Sequence, residues 1–466
     1  MRRKAIVRFV LFVGALAAAP SVRLTQATPQ NPGPASAGQW TSADKSAMAS
    51  RVREEFLHAW NAYKQYAWGH DELKPLSKSA RDWYRVPLYM TPLDALDTMI
   101  LMGLDEEAAK TREYIAQNLR FDHDISVKNF EITIRMLGGL LSNYQLTGDK
   151  RLLDLAKDLG DRLLPAFNSK TGMPYVFVNL KTGAVREHNS NPAEIGTLLL
   201  EFGTLSKLTG NPIYYDKAKH ALVQVYSHSW NGLMGSGINV ETGVWTDGES
   251  HISGLIDSYY EYLLKSWLLF GDKDCQKMWR ESIKGVNKYL ADETPTGLWY
   301  RHVELNNGRL ISQRFGALDA FFPGVLALSG DLGRAKRLQD SAFKMWTTFG
   351  IEPEEFDYST MKITSPAYPL RPEIIESAFY LYRFTNDSKY LDMGKTIFES
   401  LVKYCRTDAG YAALRNVETK EKRDNMESFF LAETLKYLYL LFAPPETIDL
   451  KKVVFNTEAH PIKKTW

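Results

Sequence analysis

Apolar residues recur every three to four positions along most of the chain, which is the spacing of amphipathic α-helices. About fourteen such segments follow one another, and several begin after a Gly-Asp or Asn-Pro break that suits the end of one helix and the cap of the next. The segments begin near Ser46, Thr91, Glu106, Ser126, Lys150, Asn191, Pro212, Ile252, Asp274, Phe315, Asp331, Arg371, Ser388 and Asp424. The pattern therefore predicts an all-α protein.

Glycine-marked loops separate successive helix pairs at intervals of 60, 65, 53 and 60 residues, and the glycines are Gly172, Gly232, Gly297, Gly350 and Gly410. Three of these loops, TGMPYVFVNLKTG, NGLMGSGINVETG and TGLWYRHVELNNG, place a β-forming run between turn dipeptides, which predicts short hairpins. A repeat of about 60 residues fits a closed ring better than two unlike domains. Seven pairs would form an (α/α)7 barrel with its hairpin loops at one end. An open α-solenoid is the structural alternative.

The C-terminal stretch 453–461 reads VVFNTEAHP. Chain ends are normally polar and frayed, but here three strand-forming apolar residues lead to Asn456, Thr457, Glu458 and His460. One interpretation is a short edge strand that closes the domain. The other is a hairpin that is buried in the barrel and carries oxygen ligands; a ring has a hollow to fill, so burial of this stretch favours closure.

The chain has 466 residues, of which 44% are hydrophobic and 12% aromatic, with a formal net charge of +2. Two or three average domains would fit this length, but a single helical barrel also reaches it. The near-neutral charge argues against nucleic acid or an anionic membrane as the main partner. The two cysteines, Cys275 and Cys405, lie within helical patterns, and their spacing does not show whether they pair.

The N-terminus has the form of a secretory signal of bacterial type. A basic start precedes the apolar run Phe9–Ala19, and small residues follow, which predicts a signal peptide over 1–27 that is too short to span a bilayer of ~30 Å. Residues 28–45 are rich in Pro, Gly, Ser and Ala and are predicted to form a disordered linker. A single catalytic domain over 46–463 would follow. The mature protein is thus expected to be secreted or periplasmic and not membrane-spanning.

Several acidic residues fall on apolar faces of the predicted helices. Glu131 lies at the edge of an apolar stripe beside Val127, Ile134 and Gly138. Arg135, one turn further on, can pair with it. A structural Glu–Arg pair and a catalytic acid explain this arrangement equally well.

Asp257 shares an apolar face with Glu261, and buried acids of this kind must be paired, bind a metal or hold a proton. A hydrogen-bonded core acid is the alternative. Glu373 follows Pro372 at a helix start, where the helix dipole favours the ionised carboxylate, as a general base requires, although acids in first turns are common. Glu376 lies one turn further on the same face.

Glu427 is predicted to open the final helix on its apolar side, and Glu354 lies in a loop with no helical face to argue from. Other chemistries lack support. The nine histidines form no HExxH motif, and EF-hand, dinucleotide-binding and serine-elbow signatures are not found. Several carboxylates, many aromatic residues and one candidate oxygen-ligand site together favour a glycosidase.

Eight ordered motifs extend from about Arg53 to Pro461. They are YAWGHDELKPLS, LDALDTMILMGL, FEITIRMLGGLLSNYQLTGD, AEIGTLLLEFGTLSKLTG, DSYYEYLLK, RPEIIES, MESFFLAETLKYLYLLF and FNTEAHP. In sequence and order they resemble the class I α-mannosidases of glycoside hydrolase family 47. The resemblance implies an (α/α)7 barrel plugged by a C-terminal β-hairpin.

By position, Glu131 resembles the family's acid for the leaving oxygen, acting through a water. Asp257 and Glu373 resemble the two carboxylates proposed to activate the attacking water, and Glu354 a further proton donor. Thr457 resembles the calcium ligand, which binds through its hydroxyl and carbonyl oxygens. Three further acids resemble those that hold the calcium-bound waters or the sugar: Glu376, Glu427 and Glu458. Two weaker candidates for substrate contact are Glu194 and Arg135.

The resemblance implies a calcium-dependent, inverting exo-α-1,2-mannosidase acting on high-mannose or mannan-type oligosaccharides. The protein is also expected to be a monomer. Inversion requires the acid and the base to stand ~6.5–9.5 Å apart. One rival is a mannose-binding, lectin-like protein on the same fold, without turnover. A second rival is another α/α-barrel enzyme that acts on acidic sugars, and it should show a basic cleft.

The sequence departs from the family pattern at two positions. In the family members that cleave one particular branch of the glycan, an Arg occupies the position of Leu255. A Leu at this position is similar to the Golgi-type enzymes, which trim several branches, so relaxed branch preference is expected. Around Ala320 the cysteine of the eukaryotic disulfide is missing. The barrel must therefore hold without that bond.

Overall fold

The computed structural model describes residues 40–466. The predicted signal peptide and the predicted linker up to residue 39 lie outside the described residues. The last four residues of the predicted linker, 42–45, are helical, because Thr41 caps a helix that begins at Ser42. The Thr41 hydroxyl accepts from the Asp44 amide at 3.1 Å, and the Asp44 carboxylate accepts from the Thr41 amide at 2.9 Å.

The α-helices of this part of the chain are α1 (Ser42–Tyr66), α2 (Met90–Leu101), α3 (Asp105–Asn118), α4 (Asn129–Glu131), α5 (Gly138–Thr147), α6 (Lys150–Leu163), α7 (Pro192–Gly196), α8 (Leu199–Thr209), α9 (Pro212–Tyr226), α10 (Asp257–Phe270), α11 (Lys273–Tyr289), α12 (Phe322–Ser329), α13 (Leu332–Phe349), α14 (Glu373–Thr385), α15 (Lys389–Tyr404) and α16 (Leu435–Phe442). Two π-helical segments interrupt this pattern. One, Ile132–Leu137, joins α4 to α5, and the other, Phe430–Thr434, leads into α16.

The helices form a closed double ring. Within residues 40–466 the inner ring runs α2, α5, α8, α10, α12, α14 and α16, each helix packing on the next, and the π segment Phe430–Thr434 packs back on α2. The outer ring is α1, α3, α6, α9, α11, α13 and α15, and α1 packs on α16. Seven inner and seven outer helices confirm the predicted (α/α)7 barrel and exclude the open solenoid.

The two kinds of connection lie at opposite ends of the barrel. Inner helices lead to outer helices through short turns such as Gly271-Asp272, where the Asp272 side chain accepts from the Cys275 amide at 2.8 Å and caps α11. Outer helices lead to inner helices through the long loops that contain the strands. Because the pairs alternate, all inner helices run in the same direction, and their N-termini meet at the strand end.

The strands are β1 (Glu72–Lys74), β2 (Ser79–Arg81), β3 (Ser126–Lys128), β4 (Phe177–Asn179), β5 (Val185–Arg186), β6 (Asn189–Ser190), β7 (Gly237–Asn239), β8 (Trp245–Asp247), β9 (Glu249–Ser250), β10 (Ala291–Thr294), β11 (Gly297–Tyr300), β12 (His302–Glu304), β13 (Leu310–Ser312), β14 (Arg314–Gly316), β15 (Glu355–Asp357), β16 (Lys362–Ser365), β17 (Arg406–Thr407), β18 (Gly410–Tyr411), β19 (Leu414–Asn416), β20 (Glu421–Lys422), β21 (Val453–Phe455) and β22 (Pro461–Lys463). Hairpins are present in these loops, and four of them, β4–β5, β7–β8, β12–β13 and β15–β16, belong to three-stranded antiparallel sheets. The third predicted stretch, 296–308, contains β11 and β12, which belong to different sheets. Each three-stranded sheet combines a single strand, which precedes an inner helix, with the hairpin that follows the next outer helix. In the first sheet, for example, Val127 of β3 pairs with Val178 of β4, and Val178 pairs with Val185 of β5.

Four predicted helix starts therefore lie several residues too early. Ser126 and Phe315 lie in β3 and β14, the stretch after Ile252 becomes helical only at Asp257, and the stretch after Asp424 only at Phe429. Ser126 and Phe315 pair with a neighbouring hairpin, and this tertiary pairing overrides the helical period. Cys275 and Cys405 are both buried free thiols. Among the helices from residue 40 onward, none is both long and apolar enough to cross a bilayer.

The C-terminal hairpin, residues 453–463, fills the hollow of the inner ring. Strands β21 and β22 pair antiparallel with Val454 opposite Ile462, and they pack on α10 and α5. Phe455 and Ile462 are fully buried. Because this hairpin follows the C-terminus of the last inner helix, it enters the barrel from the end opposite the strands. We call residues 453–463 the plug hairpin.

Gly138 makes room for the plug hairpin. A Cβ atom at Gly138 would lie 2.6 Å from Nδ2 of Asn456. That nitrogen donates to the carbonyl of Ile134 at 2.8 Å, so it cannot move away without losing a buried hydrogen bond. A side chain at this position is therefore excluded by the approach of the plug hairpin.

The Gly138→Ala variant should lower the free energy of unfolding by about 2 kcal/mol, because overpacking against Asn456 outweighs the better helix propensity of Ala. The matched control is Gly333→Ala in α13, where the nearest atom to an added Cβ is 3.9 Å away. This control should leave stability unchanged or raise it by up to about 1 kcal/mol. Urea denaturation measures both, and equal effects of the two substitutions would contradict the steric argument.

Candidate active site

A cavity of about 690 Å³ opens at the strand end of the barrel. Among the described residues its lining contains four side chains of Lys and Arg and twelve of Asp and Glu. The acidic ones are Glu131, Glu194, Asp247, Glu249, Asp257, Glu261, Glu354, Glu355, Glu373, Glu376, Glu433 and Glu458. This composition does not provide the basic cleft that an enzyme for acidic sugars would need. The cavity suits a neutral polyhydroxylated ligand or a cation.

The cavity contains every predicted site residue except Glu427. Glu131, Glu194, Asp257 and Glu373 lie in the first turns of α4, α7, α10 and α14, and the shared direction of the inner helices brings these first turns together. Thr457 comes from the turn of the plug hairpin. Residues far apart in the sequence thus converge at one end of the barrel.

Glu427 is the exception and corrects the sequence prediction. It accepts from the Asn425 amide group at 2.5 Å and lies beside Glu72, whose pKa is raised to about 9 by burial and by the Glu427 charge. Residues 423–428 are not helical, so a helical wheel that starts near Asp424 has the wrong phase. Glu433, in the π segment, lines the cavity instead.

Arg135 joins the barrel to the plug hairpin. Its Nε donates to Glu131 at 3.1 Å, and its Nη1 donates to Glu458. The guanidinium also lies 5.4 Å from the ring centroid of Trp83 and is almost fully buried. The predicted Glu131–Arg135 pair is present, and its third member, Glu458, could not be identified from helix periodicity.

Glu354 forms a two-point ion pair with Arg371, whose Nε and Nη2 donate at 3.2 and 2.5 Å. Both oxygens of Glu354 are therefore engaged by one guanidinium. The same arginine precedes Pro372 and Glu373. Glu373 is the first residue of α14, and Pro372 is its cap rather than its first helical residue.

Burial raises the pKa of Asp257 to about 7 and that of Glu373 to about 8, with Arg371 acting against both shifts. The sequence argument expected the helix N-terminus to keep Glu373 ionised. Removal from water outweighs the dipole here, because Oε2 of Glu373 is buried without a hydrogen-bond partner among residues 40–466.

Leucines in the left-handed conformation precede both of these acids. Leu255 has φ +77° and Leu370 has φ +69°, conformations that cost a branched residue about 1–3 kcal/mol each. Each carbonyl is anchored by a segment that leads into a neighbouring inner helix: the Ala193 amide donates to the Leu255 carbonyl at 2.9 Å, and the Thr434 hydroxyl donates to the Leu370 carbonyl at 2.7 Å. These anchors orient the first turns of α10 and α14.

The acids nearest the plug turn share an excess of negative charge. Burial raises the pKa of Glu376 to about 8 and of Glu458 to about 7, and raises that of Glu433 well above its usual range. In the part of the chain that the structure describes, no three His, Cys, Asp or Glu side chains converge to hold a metal directly. The surplus charge fits a divalent cation that Thr457 oxygens and water would hold.

Asn456 fixes the turn that carries Thr457. Its Oδ1 accepts from the amides of Glu458 and His460 at 3.0 and 2.8 Å. Its Nδ2 donates to the Ile134 carbonyl and to Glu201, both at 2.8 Å. The Thr457 amide also donates to the Tyr262 hydroxyl at 3.3 Å. The position of Thr457 is thus set from both the ring and the turn.

Beneath this turn lies a fully buried charge network that the sequence analysis did not identify. His460 Nδ1 and Lys436 Nζ each contact Asp97 at 2.7 Å, and His460 Nε2 lies 3.4 Å from Asp94. Burial alone would lower the pKa of His460, but Asp97 and Asp94 raise it to about 9. The paired acids of LDALD in α2 were the only sequence signal for this network.

A sequence profile described as Glycosyl hydrolase family 47 matches residues 55–464. The chain belongs to this family. Its relatives include the mannosyl-oligosaccharide 1,2-alpha-mannosidase MNS1 of Arabidopsis thaliana, 39% identical over 89% of this chain and 78% of that one. The ER degradation-enhancing alpha-mannosidase-like protein 2 of Mus musculus is 37% identical over 91% and 78%.

Among solved structures, the alpha-1,2-mannosidase from Trichoderma reesei matches this family 47 chain with a TM-score of 0.83 at 32% identity. The match covers 90% of this chain and 99% of that one. The resemblance stated from the motifs is confirmed, and the protein is a glycoside hydrolase.

The ionised His460 predicts a pH-dependent stability difference. Its pKa is higher in the folded than in the unfolded state, so its contribution is complete below about pH 6.5 and is lost as the pH rises through about 9. Between about pH 6 and pH 9.5, wild type should lose about 3 kcal/mol more unfolding free energy than His460→Gln. Urea denaturation at both pH values tests this.

The exposed His220→Gln variant serves as the control and should follow wild type across the same range. Parallel pH dependence of wild type and His460→Gln would show that the His460–Asp97 pair does not stabilise the fold.

Proposed function

We propose that the protein is a calcium-dependent, inverting exo-α-1,2-mannosidase that removes terminal mannose from high-mannose or mannan-type oligosaccharides. One observation carries this proposal: Thr457 lines the same cavity as Glu131, Asp257 and Glu373, although these residues come from four distant parts of the chain. The names of two family 47 relatives, a mannosyl-oligosaccharide 1,2-alpha-mannosidase and an alpha-1,2-mannosidase, support the linkage and the sugar.

Calcium fits the chemistry of the plug turn. Ca²⁺ prefers six to eight oxygen ligands, and Thr457 offers a hydroxyl and a carbonyl oxygen. The buried acids Glu376, Glu433 and Glu458 are the candidates to hold coordinating waters; burial raises the pKa values of all three, and a divalent cation would favour their ionised forms. When bound, calcium would supply Lewis-acid polarisation and orient the sugar hydroxyls.

The side chains of this chain then divide the proton transfers. Glu131, paired with Arg135, is placed to protonate the leaving oxygen through a water. Asp257 and Glu373 would accept a proton from the attacking water on the opposite side of the sugar, as inversion requires. Because both oxygens of Glu354 accept from Arg371, we assign Glu354 to shaping the pocket rather than to proton donation.

A lectin-like protein without turnover is the second candidate, since the relatives include a degradation-enhancing alpha-mannosidase-like protein. The presence of all the predicted catalytic acids in one cavity favours turnover.

We also propose that the mature protein is a secreted or periplasmic monomer. The leucine at position 255, which is 51% exposed in the cavity lining, supports relaxed branch preference.

Chelation by EDTA should abolish release of mannose from a high-mannose glycan, and added Ca²⁺ should restore it. Thr457→Val, which keeps the carbonyl but loses the hydroxyl, should weaken Ca²⁺ binding by about tenfold or more, measured as the rise of Tm with Ca²⁺ concentration. The control is Thr465→Val at the exposed C-terminal end. Calcium-dependent binding of mannose without any release would support the lectin instead.

Inversion predicts β-mannose as the first product of an α-linked substrate. Proton NMR within the first turnovers should show the β anomer before mutarotation, which a free mannose sample in the same buffer calibrates. Glu131→Gln should lower kcat by about a hundredfold or more. Appearance of α-mannose first would refute the inverting assignment.

A further inference from the structure

One wall of the cavity contains a polar cluster that the reaction described above does not use. It consists of Glu249 on β9, the adjacent His251, His302 on β12 and Arg314 on β14. We call these four residues the histidine wall. They come from two three-stranded sheets at the strand end of the barrel, whereas Thr457 enters from the opposite end. The wall therefore lies between the plug turn and the mouth.

The four side chains are held together by ring stacking and hydrogen bonds. The rings of His251 and His302 stack with centroids 4.4 Å apart and planes at 28°. Nδ1 of His302 is 2.6 Å from Oε1 of Glu249, and Nη2 of Arg314 donates to the same oxygen at 3.4 Å. Both contacts use one oxygen, so the other oxygen of Glu249 can accept from a ligand.

The protonation of His251 follows from its contacts. The Ser253 amide donates to Nδ1 of His251 at 3.2 Å, so Nδ1 is an acceptor and the ring proton is on Nε2. Burial and the neighbouring His302 lower the pKa of His251 to about 3, and the ring is neutral at physiological pH. His251 thus offers a neutral N–H donor in the cavity lining.

We propose that the histidine wall binds the hydroxyl groups of the sugar residue to which the departing mannose is linked. This inference rests on the proposed function, because it takes the terminal mannose to lie at the plug turn. The remainder of the glycan must then extend toward the mouth, past the wall. A carboxylate acceptor, a guanidinium donor and an imidazole donor together match the alternating donors and acceptors of vicinal hydroxyls.

Other ligands fit the wall less well. The Glu249 carboxylate disfavours an acidic sugar or a phosphate. The three groups His251, His302 and Glu249 do not form a metal site, since no such convergence occurs within residues 40–466. The half-exposed Leu255 and the ring of Phe321 also line the cavity, and they provide the apolar contact that sugar C–H faces need.

The test compares binding of mannose and of α-1,2-linked mannobiose, by calorimetry with Ca²⁺, in a Glu131→Gln background that prevents turnover. Glu249→Gln and, separately, Arg314→Met should weaken mannobiose binding by about tenfold or more while changing mannose binding by less than about twofold. Arg314 is 38% exposed, so its substitution leaves the fold intact even if the more buried Glu249 site does not.

The matched control is Glu304→Gln. Glu304 lies on the same strand as His302 but pairs with Arg309 outside the cavity, and its substitution should change neither affinity. Equal weakening of both ligands by the wall variants, or no weakening of either, would overturn the inference. Failure of the Glu131→Gln parent to bind either sugar would instead overturn the proposed function together with this inference.

Discussion

The insertion of one turn, residues 456–460, into a closed ring of helices is the constraint on which the structure depends. Asn456 satisfies this turn internally and also ties it to the Ile134 carbonyl and to Glu201. The ring must leave room for this turn, and it does so at Gly138, where a Cβ atom would clash with Asn456. Ring and plug hairpin are complementary, and neither would place Thr457 alone.

The same insertion explains the two π-helical segments and the buried charges. A π-helix frees a carbonyl from the regular helical pattern, and such segments occur often at functional sites. Here one segment carries Arg135 and exposes Ile134 to Asn456, while the other carries Glu433. Acids held at the junction of ring and plug lose hydration, so their pKa values rise, and a bound cation would relieve this cost.

Helix periodicity and loop spacing predicted seven helix pairs and favoured a ring, but they left an open solenoid as the alternative, because closure depends on the contact between the last inner segment and α2. The first turn at Glu373 followed from helix-start chemistry, whereas Asp257 was recognised as an acid on an apolar face of a helix whose start was predicted several residues too early. Glu427 could not be placed correctly, because a wheel needs the helix boundary and a π segment changes the phase. The His460–Asp97 network and the histidine wall depend on contacts between distant segments; the paired acids of LDALD hinted at the network, but a single sequence does not show which residues they contact.

The direction of the helices also bears on how the cavity can act. Because every inner helix has its N-terminus at the strand end, that end collects first turns whose free amides favour carboxylates such as Asp257 and Glu373. The plug hairpin fills the other end, where β21 and β22 pack on α10 and α5. In the proposed binding mode, a chain of sugars would enter by its tip, with one residue at the plug turn and the rest directed to solvent. This geometry supports release of single terminal residues rather than cleavage within a polymer.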